Sequence, residues 1–198
     1  MGGVTADLNL FDAAQRTFDR VTRSRINYYT VPIVDVAGAA LLLALGVRSP
    51  LQPLAAIGAL TAGLAAWVPV EYALHRWLGH GPPSSARRGH AMHHSDDAAP
   101  VAAPIFVVFG FVLAIWGALT FVMPAGAAAL FMAGIYVGYN YYTLVHHLLH
   151  HRAALVERIG WKRKLLRHRI HHARHDVNFG VTSHVCDRLF KTFVSGLL

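Results

Sequence analysis

The sequence predicts an all-α integral membrane protein with four transmembrane helices in two hairpins and a cytosolic helical cap that carries all the histidines. Composition is the first reason, because 55% of the 198 residues are hydrophobic and only 14% are charged, unlike an ordinary soluble domain. Histidine distribution is the second: fourteen histidines fall in tight clusters, each beside a long apolar segment. A soluble protein with four buried helices would need more surrounding chain than this length offers.

The chain begins with a polar stretch, residues 1–30, which we interpret as an amphipathic surface segment. Leu10, Ala14 and Phe18 are among its apolar positions. A secretory signal peptide is not expected here, because the stretch is polar and contains Asp7, Asp12 and Asp19. The length and the absence of repeats favour one domain over residues 1–198.

Four apolar segments follow, and a bilayer core about 30 Å thick requires roughly 20 helical residues to cross it. The predicted transmembrane helices are residues 31–47, 53–74, 101–123 and 125–145. Only a few residues connect the first helix to the second, and the third to the fourth near Pro124. Each pair is therefore predicted to form a helical hairpin, and both hairpins open toward the same side.

The distribution of basic residues orients these hairpins. Among the 18 Lys and Arg residues, Arg48 alone falls in a short hairpin turn. By the positive-inside rule, the termini and the cap segments 75–100 and 146–198 are predicted on the cytoplasmic face, with all histidines on that side. The formal charge of +8 is then explained by topology and anionic headgroups, so we expect no nucleic-acid partner. The single cysteine, Cys186, excludes a thiolate-rich metal site.

Histidine spacing predicts metal binding, since neutral imidazole is a common ligand of transition metals. Residues three and four apart share one face of a helix, so each cluster can aim several nitrogens at one point. This spacing is found in His90, His93 and His94, in His146 and His150, and in His168, His171 and His172. Eight or more converging histidines exceed the needs of one ion and predict a dinuclear site.

Two sets of histidines do not follow this spacing. His75 and His80 are five apart and diverge by about 140° on a regular helix, so the pair either straddles the metal centre or lies at a helix end. His175 and His184 are isolated, and an isolated histidine is more often a surface or core residue than a ligand.

Four histidine boxes can now be recognised: His75–His80, His90–His94, His146–His151 and His168–His172. In order and spacing they resemble the boxes of the membrane fatty acid hydroxylase superfamily, which includes sterol desaturases. The resemblance extends from about Glu71 to the C-terminus and includes a closing signature, Asn178–Ser183 followed by Asp187–Thr192. Within the superfamily the chain is most similar to fatty acid 2-hydroxylases.

The resemblance implies a dimetal centre and assigns its residues. The implied ligands are His75, His80, His90, His93, His94, His146, His150, His168, His171 and His172. Candidates for supporting a ligating histidine or for lining the substrate channel are Glu71, His147, His151 and His175. For Glu71, a solvent-facing position at the helix end is an equal alternative to orienting a ligating imidazole.

The implied activity is oxygen-dependent hydroxylation of an acyl chain, most specifically at carbon 2. The cofactors would be two iron ions, which zinc can replace in purified protein because imidazole binds both, with O2 as co-substrate. A membrane lipid or fatty acyl group would be the substrate. Electrons would come from a separate donor of the cytochrome b5, ferredoxin or reductase type. Alternatives are a carotenoid hydroxylase, a sterol or lipid desaturase with the same centre, and a non-catalytic membrane metal-binding protein.

Substrate is expected to enter from the bilayer between the helices. Aromatic residues of the third and fourth predicted helices are candidates for lining this route, although ordinary packing is an alternative for each of them. They are Phe106, Phe109, Phe111, Trp116, Tyr136, Tyr139, Tyr141 and Tyr142.

Overall fold

A computed structural model describes the backbone of residues 2–196 and the side chains of residues 12–196, so the side chain of Leu10 lies outside the described part. Within these limits the chain is helical and contains no strand. The helices are α1 (Gly2–Thr22), α2 (Arg25–Val47), α3 (Pro53–Ala73), α4 (Ser85–Ser95), α5 (Ile105–Leu119), α6 (Ala125–His151), α7 (Ala153–Arg158), α8 (Lys162–Ala173) and α9 (Val185–Leu189). A π-helical turn, Leu74–Gly79, continues α3.

Short turns join α2 to α3 and α5 to α6, as expected, but α2 and α3 each pack mainly against α6 rather than against each other. Local sequence explains where the helices begin. Ser24 caps α2 by accepting a hydrogen bond from the backbone N–H of Asn27. Pro53 stands at the first position of α3, where its missing N–H is not needed. The Asn27 side chain donates to the carbonyl of Ala103 at 3.1 Å and accepts from the N–H of Ile105 at 3.1 Å, which ties the start of α2 to the start of α5.

Helix α6 is the centre of the bundle and packs against both α2 and α3. Small residues allow this close approach: a Cβ on Gly63 of α3 would lie 2.0 Å from the carbonyl oxygen of Phe131 in α6. Between α2 and α6, the Tyr136 hydroxyl donates a hydrogen bond to the buried Asp35 carboxylate. Close backbone contact with α3 and a buried hydrogen bond to α2 therefore hold α6 in place.

Two of the described helices, α2 and the continuous stretch Pro53–Gly79, are long and apolar enough to cross a membrane. Only 28% and 11% of their most apolar windows are buried, whereas the core helix of a soluble protein would be mostly buried. Large apolar side chains such as Ile33, Leu54 and Phe121 are exposed. These observations indicate membrane association, while the four-helix crossing stays a prediction.

The helices differ from the predicted apolar segments at several ends. The second and fourth continue beyond the apolar residues, to Gly79 and His151, because histidine is compatible with a helix and apolarity reports lipid contact rather than helix length. The first begins earlier, at Arg25, after its Ser24 cap. The third is shorter than 101–123 and covers only Ile105–Leu119.

Candidate metal centre

The π-helical turn determines where the first histidine pair lies. The backbone N–H of His80 donates to the carbonyl of His75 at 3.2 Å, a bond across five residues. A regular helix would separate the two side chains by about 140°. Here the Nε2 atoms of His75 and His80 lie 3.0 and 2.9 Å from Nε2 of His90. The pair thus lies at a helix end and on one side of a single cluster.

The ten histidines predicted as ligands converge in two groups, and in each group the candidate ligand atoms lie within 4.8 Å of one another. We call them group one and group two. Group one consists of His75, His80, His90, His94 and His171, and group two of His93, His146, His150, His168 and His172. Their role as ligands stays a prediction, but the geometry that such a role requires is present.

The histidine trios do not each point to one place, which corrects the simplest expectation from their spacing. In α4, His90 and His94 belong to group one and His93 to group two. In α8, His168 and His172 belong to group two and His171 to group one. Adjacent residues diverge by about 100° on an α-helix, whereas residues four apart nearly align. Both helices therefore contribute to both groups.

Distances within group one match those between ligands of one ion. Neighbouring Nε2 atoms are 2.9 to 3.2 Å apart. With metal–nitrogen bonds of about 2.0–2.1 Å, two ligands at a right angle would be about 2.9 Å apart. In group two, Nε2 of His93 and His146 are 3.1 Å apart, and Nε2 of His172 is buried without a hydrogen-bond partner in the described part of the chain.

Backbone carbonyls set the tautomers of two group-one histidines. His75 Nδ1 donates to the carbonyl of Phe179 at 2.5 Å, and His171 Nδ1 donates to the carbonyl of Val177 at 2.8 Å. The proton then resides on Nδ1 and Nε2 presents a lone pair to the centre of the group. Converging lone pairs repel one another unless a cation lies between them, so the donor set fits a metal ion.

Burial and the neighbouring imidazoles keep these side chains neutral. Burial first, and then nearby histidines, lower the pKa of His93 to about 3 and that of His80 to about 4. Burial likewise lowers the pKa of His171 to about 3, although its bond to Val177 opposes the shift. Neutral imidazole is the form that binds metal, so the groups are prepared for metal at neutral pH.

The closing segment, residues 177–192, is held by Asp187, a fully buried carboxylate. Asp187 accepts hydrogen bonds from the N–H groups of Phe179 and Gly180 and from the hydroxyl of Thr192, each at 2.8 Å. Gly180 has no room for a side chain, because a Cβ would lie 1.9 Å from the carbonyl oxygen of Ser183. This network places the Phe179 carbonyl that orients His75.

Glu71 supports the same segment from α3 and is only 3% exposed, which excludes the alternative of a solvent-facing carboxylate. It accepts from the N–H groups of Val181 and Thr182 at 2.6 and 2.9 Å, from the Thr182 hydroxyl, and from Trp67 Nε1 at 3.1 Å. No imidazole is among these partners. Glu71 therefore positions the closing segment rather than orienting a histidine directly.

Sequence reasoning missed Asp97. Its carboxylate oxygens lie 3.0 Å from Nδ1 of His172 and 3.7 Å from Nδ1 of His150, although its side chain is 61% exposed. A carboxylate next to an imidazole raises the basicity of a ligating histidine. The sequence does contain a signal for this role, because Asp97 lies three residues after His94, in an acidic pair with Asp96 that follows the second histidine box.

A cavity of about 350 Å³ opens beside both groups. Glu71, His147 and His151 line it, whereas His175 lines a second cavity beside His80 and His94. His184 lies apart, against the ring of Phe193.

Two of the eight aromatic candidates, Tyr139 and Tyr142, line the first cavity. The others do not: Trp116 and Tyr136 pack in the bundle core, and the remaining four are exposed. Apolar side chains, including Leu78 and Val107, also line the first cavity beside its polar residues.

Fold and site together define a class of protein: an apolar helical bundle that presents two histidine groups suited to metal ions beside an apolar cavity. The fatty acid hydroxylase family model matches residues 60–192, which includes all ten histidines. The chain belongs to the fatty acid hydroxylase family.

Known relatives agree with this assignment. The chain is 28% identical over 162 residues to "Fatty acid 2-hydroxylase" of Rattus norvegicus, covering 70% of this chain and 40% of the rat protein. It is 29% identical over 146 residues to "Dihydroceramide fatty acyl 2-hydroxylase FAH2" of Arabidopsis thaliana, covering 69% of this chain and 61% of the relative. The chain thus spans less than two thirds of either protein.

A solved structure, "Full length scs7p (only hydroxylase domain visible)", has the same fold. Its TM-score is 0.72 at 23% identity, and the similarity covers 90% of this chain and 70% of that one.

Proposed function

We propose that this protein is an oxygen-dependent lipid hydroxylase that inserts a hydroxyl group into an acyl chain, specifically at carbon 2. The observation that carries the proposal is the convergence of ten histidines in two groups beside a cavity with apolar walls. Family membership supports hydroxylation, and the relatives' names support position 2. The substrate would be a membrane lipid or fatty acyl group.

The residues of groups one and two would hold two iron ions. When bound, this metal pair would supply the activation of O2. Two electrons would come from a separate protein donor and two protons from solvent, so that one oxygen atom enters the C–H bond and the other leaves as water. The chain's own contribution is binding and position. Neutral imidazoles hold the metal without adding negative charge, and Asp187 and Glu71 hold the closing segment that orients His75. The apolar walls of the cavity exclude water from the acyl chain.

The proposed topology is multi-pass, with four crossings and both histidine groups at the cytoplasmic face. It is supported by the two apolar helices and by the position of α6, which packs against α2, α3 and α5 and so does not need to be apolar on every side. Almost all basic residues lie outside the two short hairpin turns, which favours cytoplasmic placement of the remaining loops.

Lipid mass spectrometry of expressing cells tests the activity. We expect a product 16 mass units heavier than its precursor, with the hydroxyl at carbon 2. A product two mass units lighter would instead establish desaturation by the same centre and refute hydroxylation. An unchanged lipid profile in cells that contain the metal-loaded protein and a reducing partner would refute both.

Metal analysis of the purified protein tests the centre itself. Wild-type protein should contain about two metal ions per chain, and His171→Ala should lose the product and retain about one ion, because group two keeps its five histidines. His184→Ala is the matched control, since this histidine packs against Phe193 outside both groups. Full activity of His171→Ala, or less than one ion in the wild type, would contradict the proposal.

A further inference from the structure

Three polar side chains form a cluster that the proposed chemistry does not use. The Tyr28 hydroxyl lies 2.8 Å from Nδ1 of His147 and 3.4 Å from Nε2 of His151. In the described part of the chain these side chains form hydrogen bonds only with one another. All three are half-buried and line the same cavity as His150 of group two.

We propose that Tyr28, His147 and His151 bind the carbonyl head of the acyl substrate and thereby select the carbon that is hydroxylated. This inference rests on the proposed function and adds the recognition of the polar head. The shared chemistry is a carbonyl oxygen attached to a long alkyl chain, as in a fatty acid or a fatty amide.

Donor directions within the cluster suit a carbonyl. Because a tyrosine hydroxyl has one proton to donate, we assign it to the shorter contact, so that Tyr28 donates to Nδ1 of His147 at 2.8 Å and accepts from Nε2–H of His151 at 3.4 Å. The remaining proton of the neutral His147 ring is then on Nε2, and no hydrogen bond to another described residue engages that atom. The cluster thus retains one N–H donor for an acceptor such as a carbonyl oxygen.

Distance connects this cluster to position 2. A carbonyl oxygen accepting a hydrogen bond lies about 2.9 Å from the donor nitrogen. Bond lengths place carbon 2 about 2.4 Å beyond that oxygen, so it can lie about 5 Å from the donor. His147, which carries the free donor, directly follows His146 of group two in α6, and the ring centroids of the neighbouring His151 and His150 are 6.4 Å apart. A head held at the cluster therefore brings the adjoining carbon, rather than one far along the chain, to the metal groups.

The position of Tyr28 relative to the proposed bilayer agrees with binding of an acyl carbonyl. Tyr28 is the fourth residue of α2, at one end of a helix long enough to cross a bilayer. Tyrosine favours the interface between lipid tails and headgroups, where acyl carbonyls lie. Apolar side chains, among them Leu74, Leu78 and Val107, line other parts of the same cavity and suit the alkyl chain.

A competition assay tests head recognition independently of turnover. Metal-loaded protein in detergent, kept without a reducing partner so that no turnover occurs, would bind a fluorescent fatty acid probe, and palmitate, palmitamide or hexadecane would displace that probe. We expect the wild type to bind palmitate or palmitamide about tenfold more tightly than hexadecane, the equivalent of one hydrogen bond. The two polar ligands distinguish an acid head from an amide head. Tyr28→Phe should lose the preference, whereas Tyr29→Phe, at a 68% exposed neighbour, should keep it.

Product analysis provides the second test. Tyr28→Phe and His147→Gln should retain two metal ions and a normal melting temperature, raise KM several-fold and spread the hydroxyl from carbon 2 to neighbouring positions. An unchanged preference and an unchanged product position in both variants would overturn the head site while leaving the hydroxylase proposal intact. Absence of any hydroxylated lipid with the wild type would overturn the proposed function, and the binding preference would still decide whether the head site exists.

Discussion

Replacement of Asp187 by asparagine should destabilise the protein more than any exposed acidic substitution of equal size. The carboxylate is fully buried and accepts three hydrogen bonds of 2.8 Å, two from backbone N–H groups and one from Thr192. An asparagine side chain keeps one oxygen and replaces the other by an NH2 donor. Because the backbone N–H groups of Phe179 and Gly180 face different oxygens, either orientation of the amide leaves one of them without an acceptor.

The magnitude follows from that single unsatisfied group. A buried donor without a partner costs about 1–3 kcal/mol. The remaining bonds also lose the strengthening that a charged acceptor provides, so the total loss is about 2–4 kcal/mol. For a chain of this length the melting temperature should fall by about 4–16 °C. Since Phe179 orients His75, metal binding at group one should weaken as well.

Thermal unfolding in detergent, followed by size-exclusion fluorescence, measures this change, and metal analysis on the same samples reports occupancy. Asp176→Asn is the matched control: its side chain is 77% exposed and lies 3.8 Å from Arg174. The control should melt within about 2 °C of the wild type. If Asp187→Asn also melts within that range and keeps both metal ions, the closing segment does not brace the site in the way its hydrogen bonds indicate.

Two further comparisons use matched pairs of substitutions. Gly63→Ala should destabilise the bundle by about 1–3 kcal/mol, because the new Cβ would lie 2.0 Å from the carbonyl oxygen of Phe131. Gly58→Ala in the same helix places its Cβ in open space and should be neutral or slightly stabilising, so equal melting temperatures of the two variants would refute the close packing of α3 on α6. Asp97→Ala should weaken metal binding at group two about 10- to 100-fold in a chelator competition. Asp96→Ala should not, because in the described part of the chain the Asp96 carboxylate accepts from the N–H of Ala98 and contacts no imidazole; equal affinities in the two variants would show that Asp97 does not support the histidines.

The sequence predicts which ten histidines come together but not how they divide between the two groups. Spacing and the family resemblance identify all ten residues, because a ligand side chain has a residue type that can be read directly. Their division between two groups depends on how α4 and α8 rotate about their axes against the ends of α3 and α6. That rotation results from packing between distant segments, so no local pattern reveals it.

The residues that orient the histidines were harder to predict, because their contacts also depend on packing between distant segments. The acceptors for His75 and His171 are backbone carbonyls, which every residue carries, so sequence gives no sign of them. Asp187 lies within the closing signature, but its partners become apparent only when the segment folds back on itself. Tyr28 lies 119 residues from His147, and only the contact between α2 and α6 brings them together.

The two histidine groups are supported in unequal ways, and this difference follows from where each is built. Group one is braced by carbonyls of the closing segment, which Asp187 and Glu71 hold from within the buried interior. Group two is braced by Asp97, whose side chain is largely exposed. Because α4 and α8 each carry histidines of both groups, a rigid group one also limits the movement of group two. The closing segment therefore supports group one directly and group two through α4 and α8, although none of its own residues belongs to either group.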